Sequence, residues 1–69
     1  MKSISGKKLC KVLNNLGWQL KRIKGSHHIY SNSETHKILV IPVHGNKDLP
    51  AGTLKNILRD ANLTEADLP

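Results

Sequence analysis

Carboxylates are scarce in this sequence, with five Asp and Glu against eleven Lys and Arg. The five, Glu34, Asp48, Asp60, Glu65 and Asp67, are scattered over loop-like stretches and the C-terminal segment. Hydrolysis by clustered carboxylates around magnesium or a metal pair is therefore not expected. Cysteine is scarcer still. Cys10 stands alone, which excludes an internal disulfide and fits a reducing compartment. No pair of Cys or His shows a ligand spacing, so no zinc site and no cofactor is expected. Phe is absent, and Trp18 and Tyr30 are the whole aromatic complement. No apolar run approaches the ~18–20 residues of a membrane span, and the N-terminus lacks the apolar core of a signal peptide. A cytoplasmic protein with no membrane contact is expected.

Lysine and a small set of histidines are what the chain does have. A formal charge of +6 and a pI near 9.8 concentrate polyanions around the molecule, which suits a nucleic acid or an acidic protein better than a neutral ligand. Sixty-nine residues are expected to form one domain, 1–69, of a size that buries about 60% of the surface its unfolded chain exposes.

The periodicity predicts a helix from Ser5 to Leu16, with Leu9, Val12, Leu13 and Leu16 on one stripe. Ser5 suits the N-cap, Ile4 can staple onto Leu9, and Gly17 suits the left-handed residue after the last turn. Trp18 to Ile23 alternates as a strand, with Trp18, Leu20 and Arg22 on one face and Gln19, Lys21 and Ile23 on the other. Lys24-Gly25 turns the chain into a second strand, Ser26 to Ser31, which ends in a polar turn. Lys37 to Ile41 reads as a third strand, stopped by Pro42. After a loop from Val43 to Leu49, Pro50 opens a second helix whose core face is Leu54, Ile57, Leu58 and Ala61. Asn62 ends it, and Thr64 caps a last short turn. The expected fold class is α+β, in the order α-β-β-β-α, with both helices on one face of a three-stranded antiparallel sheet.

His27 and His28 are neighbours on a strand and so point to opposite faces, His27 with Ile29 and His28 with Tyr30. Ser26 beside His27 faces the wrong way for a nucleophile pair and more simply satisfies the turn. What remains is metal-free RNA cleavage, in which the substrate's own 2′-hydroxyl attacks the adjacent phosphorus. Histidine suits it, because an ordinary pKa of about 6.5 keeps acid and base forms available near neutrality. Lys21, Arg22 and Lys24 precede the histidines and are candidates for phosphate contact; a solvated strand edge is the plainer alternative. Tyr30 can stack on a base or pack in the core. His44 can contact a phosphate or bond the backbone, His36 reads as solvated, and Cys10 as a small apolar residue.

Four elements occur in order and at consistent separations: Leu16-Gly17-Trp18, Gly25-Ser26-His27 followed by Tyr30, Ile41-Pro42-Val43-His44, and the run from Leu49-Pro50 through Gly52-Thr53-Leu54 to Ile57-Leu58. Together they resemble the HicA toxins of bacterial toxin–antitoxin systems over almost the whole chain. The resemblance implies a double-stranded-RNA-binding-domain-like fold and an mRNA interferase activity that inhibits translation. It also implies neutralisation by a HicB-type antitoxin. It puts catalysis on the histidine after Gly-Ser, which is His27. The expected partners are an mRNA substrate and the cognate antitoxin, with no DNA contact by this chain alone. The start of the second helix carries one lysine, Lys55, and lacks the lysine cluster of a simple duplex binder. The alternatives are a non-catalytic RNA-binding module, and a basic face that serves mainly to dock an acidic protein.

Overall fold

A computed structural model describes residues 3–69; of the domain expected over 1–69, residues 1 and 2 lie outside the described residues. The elements run α1 (Gly6–Asn15), β1 (Gln19–Lys24), β2 (His27–Ser31), β3 (Ile38–Pro42), α2 (Ala51–Asp60) and a 3-10 turn, Glu65–Asp67. The strands form one antiparallel sheet in the order β1-β2-β3, and the α-β-β-β-α order is the one the periodicity predicts.

Local chemistry sets the ends of α1. Ser5 Oγ accepts a hydrogen bond from the Lys8 N–H at 3.1 Å, satisfying one of the donors a helix start leaves without a partner. At the other end Gly17 takes φ +91, its N–H donates to Asn14 O, and the Trp18 N–H donates to Leu13 O at 3.0 Å. This paired closure is the Schellman arrangement, and it drops Trp18 and Leu13 together into the core. Leu16 does not join them. It sits at the C-cap, past the last helical turn, and stays 47% exposed.

The core lies between the sheet and the two helices, with Leu9, Leu13, Ile41, Leu54 and Tyr30 as its most buried side chains. Lys37 Nζ donates to the Asp60 carbonyl, so the start of β3 is tied to the end of α2 by a cation on free helix carbonyls. Thr64 and Asp67 form the reciprocal capping box of the final turn.

Strand β1 departs from simple alternation. The β1–β2 register runs Lys24↔His27, Ile23↔His28 and Arg22↔Ile29, then slips to Leu20↔Tyr30 and Gln19↔Ser31. Lys21 is the extra residue of a β-bulge, and an extra residue reverses the alternation on either side of it. Leu20 and Ile23 therefore share the face toward the helices, while Gln19, Arg22 and Lys24 share the opposite one. This corrects the alternation read from the sequence, which put Arg22 with Leu20. All six β1 residues are exposed.

Candidate functional site

The open face of the sheet is built of cross-strand rows, because residues paired in register point the same way. One row is Lys24–His27–Pro42, the next Arg22–Ile29–Val40, and the third Gln19–Ser31–Ile38. His27 is exposed in the first row, at the end of the sheet where β1 turns into β2. Gly25 opens that two-residue turn at φ +60, a backbone state that costs a residue with a Cβ roughly 1–2 kcal/mol. The turn sets Lys24 directly across from His27, with facing Cβ atoms about 4.5–5.5 Å apart.

His28 goes to the other face. Its Nδ1 lies 4.0 Å from Cys10 Sγ, in a half-buried position between Ile23 and Ile41. Tyr30 follows on that face and is only 2% exposed. Its ring is packed among core residues and offers no surface to a base, so Tyr30 is withdrawn from the RNA contacts. Burial first, then the hydrogen bond and charge of Cys10, push the Tyr30 hydroxyl up to about 12, against a smaller opposing effect of Asn14. Burial also pushes the Cys10 thiol up, partly offset by its hydrogen bond with Tyr30. A thiol pushed up in this way has less thiolate, and so less nucleophilic character, than an exposed one. It fills the space between α1 and β2.

The cations divide in two. Arg22 and Lys24 lie on the open face and, among the described residues, neither has an ion-pair partner. Lys21 Nζ instead donates to Gln19 Oε1 at 3.0 Å, so the bulge residue leans along the same face toward its far end. The face also exposes apolar surface, with Ile38 66% and Val40 49% accessible.

His36, at φ +59 in the β2–β3 turn, is exposed and away from this cluster. His44 is not. Val43 N–H donates to Ser26 O at 2.7 Å, which extends the β2–β3 pairing one step beyond Pro42 and brings the following residue to the His27 end of the sheet. Pro42 fits this ladder without loss. The hydrogen-bonded pair next to it, Val43 with Ser26, makes the His27–Pro42 pair a non-hydrogen-bonded one, where no N–H is needed.

Gly6 is a positioning residue that periodicity did not reveal. Any Cβ there would collide with the Pro42 carbonyl oxygen, so only glycine lets the start of α1 close onto the end of β3. The sole signal is a glycine in the first turn of a helix, where it is otherwise unfavourable. Gly6→Ala should cost about 1–3 kcal/mol through overpacking. It should also displace Pro42, the cross-strand neighbour of His27. Thermal denaturation checks the first effect, and activity measured well below the melting temperature checks the second.

Among the described residues, no group of three or more His, Cys, Asp or Glu gathers to hold a metal ion, and no helix is long and apolar enough to cross a membrane. What the arrangement provides is an exposed imidazole flanked by uncompensated cations on an open face, suited to proton transfer beside an anion. No curated protein matches the chain. A family model described as the HicA toxin of bacterial toxin-antitoxin matches residues 6–63, a span from the first residue of α1 to just beyond α2. The chain belongs to the HicA toxin family and, as the toxin of a toxin–antitoxin system, has an antitoxin partner.

Proposed function

We propose that this toxin is an mRNA interferase, a metal-independent endoribonuclease that inhibits translation by cutting mRNA with His27 as an acid–base group. The observation that carries this is the row Lys24–His27–Pro42, an exposed histidine with a lysine directly across from it. The 2′-hydroxyl of the substrate attacks the adjacent phosphorus as the bond to the 5′-oxygen breaks. The imidazole moves a proton and Lys24 stabilises the charge that develops on the phosphoryl oxygens. Arg22 holds a neighbouring backbone phosphate, and Lys21 contributes positive field from the bulge.

The test is incubation of a defined RNA with the purified toxin, with and without a chelator. Cleavage that persists in chelator supports the reading, and cleavage that stops with it points to a metal enzyme. A non-catalytic RNA-binding module would retain the RNA without shortening it. Separately, Arg22→Gln and Lys24→Gln should each weaken RNA binding and lower the slope of log affinity against log salt by about 0.7 for a single strand. Titrations at several salt concentrations measure it. Unchanged slopes would place the phosphates elsewhere.

The antitoxin on this reading is of the HicB type and covers the open face, where Ile38 and Val40 supply exposed apolar surface beside the cations. Saturating antitoxin should then abolish RNA binding. RNA affinity that survives saturation contradicts occlusion.

A further inference from the structure

We propose that His44 is the second proton-transfer group of this site, completing with His27 the acid–base pair for cleavage of single-stranded RNA. The proposal rests on the endoribonuclease reading above and deepens it. The β2–β3 register is constant, with His28↔Ile41 and His27↔Pro42, and the bond from the Val43 N–H to Ser26 O carries it one residue further. His44 is the next residue, just past the end of β3. It lies two residues from Pro42, the partner of His27, which in a continued register is the position diagonal to His27 on the same face. Diagonal neighbours on a sheet face are about 7–8 Å apart and within reach of long or aromatic side chains.

The loop that carries His44 is braced at both ends. Val43 is bonded to Ser26, the Lys47 N–H donates to His44 O at 3.1 Å across a turn, and the Leu49 N–H donates to Ile4 O at 2.8 Å. Gly6 closes onto Pro42 and Val43 from below. His44 is nonetheless exposed, so its backbone is held while its ring is accessible. Both properties are what a proton-transfer group needs.

In the reaction one imidazole takes the proton from the 2′-hydroxyl as the bond from that oxygen to phosphorus forms. The other gives a proton to the 5′-oxygen as its bond to phosphorus breaks. The products are a 2′,3′-cyclic phosphate and a 5′-hydroxyl, and the two histidines end with their protonation states exchanged. The charged groups around the pair are Lys24 across from His27 and Lys47 and Asp48, which border a crevice of about 260 Å³ with His44. Asp48 borders a second crevice with Lys8 of α1.

The experiment is single-turnover cleavage of a defined RNA by wild type, His27→Ala, His44→Ala and His44→Gln across pH, together with RNA affinities. A second substrate carries sulfur in place of the bridging 5′-oxygen, a leaving group that departs without a proton. His44→Ala and His44→Gln should each cleave about 10²–10⁴-fold more slowly, lose one limb of a bell-shaped pH profile, and bind RNA as wild type does. The sulfur substrate should restore the rate of one of the two alanine variants, the one that has lost the acid, and leave the other slow. Cleavage by both His44 variants within threefold of wild type overturns the pair while leaving the endoribonuclease reading intact. A rate loss matched by an equal loss of affinity makes His44 a phosphate contact and also overturns the pair. Rescue of neither or both alanine variants does the same. Wild type that leaves RNA whole sinks the endoribonuclease reading and this proposal with it.

Discussion

If the toxin is the proposed endoribonuclease, replacing His27 with Ala should stop RNA cleavage by the purified protein and release growth arrest in cells, while the protein still folds. The loss should be at least the 10²–10⁴-fold that one well-placed general acid or base contributes. It should appear in the rate of the chemical step and leave RNA affinity nearly unchanged, because Arg22 and Lys24 remain on the open face. Folding should survive, since His27 is exposed and surface replacements away from special features change stability by about 0.5 kcal/mol or less. The measurement is a time course on a defined RNA, with a melting curve beside it. Full activity in a folded variant would remove His27 from the mechanism.

The largest structural effect is expected at Tyr30. Its ring is 2% exposed, and truncation to Ala should cost about 3–5 kcal/mol. A domain of this length holds only about 0.05–0.15 kcal/mol per residue in total, roughly 3–10 kcal/mol, so a large share of its stability is lost and the melting temperature should fall steeply. Had Tyr30 stacked on a base, the same change would weaken RNA binding without moving the melting temperature, and the two readings separate on that measurement. Tyr30→Phe keeps the ring and should keep both the fold and RNA cleavage. It also isolates the hydroxyl. A hydroxyl whose pKa rises from 10.0 to about 12 on folding binds its proton more tightly in the native state. Its stabilisation is present in full below pH 10 and is lost as pH climbs toward 12. Stability measured from pH 9 to 12 should therefore fall less steeply in Tyr30→Phe than in wild type.

Much of this architecture was legible because its signals are local. Ser5 and Gly17 mark the ends of α1 by chemistry that acts within one turn, and Gly25 marks the hairpin by a backbone angle that few other residues adopt. The split between His27 and His28 follows from strand geometry alone, and the structure puts one in the open and the other against Cys10. The bulge at Lys21 was not legible. Nothing in Gln19-Leu20-Lys21-Arg22-Ile23 distinguishes an extra residue from a regular one, because the slip depends on how β1 pairs with β2. That slip separates Arg22 from Leu20 and gives it to the His27 face. Burial of Tyr30, the fit of Gly6 against Pro42 and the bracing of the His44 loop are likewise contacts between distant parts of the chain. Periodicity, which reads one element at a time, carries no information about them.

The account is tested most directly by the chemistry of the new RNA ends. Cleavage by attack of the 2′-hydroxyl with imidazole proton transfer predicts a 2′,3′-cyclic phosphate on one fragment and a 5′-hydroxyl on the other. Fragments bearing a 5′-phosphate would show that water was the nucleophile, and would contradict it.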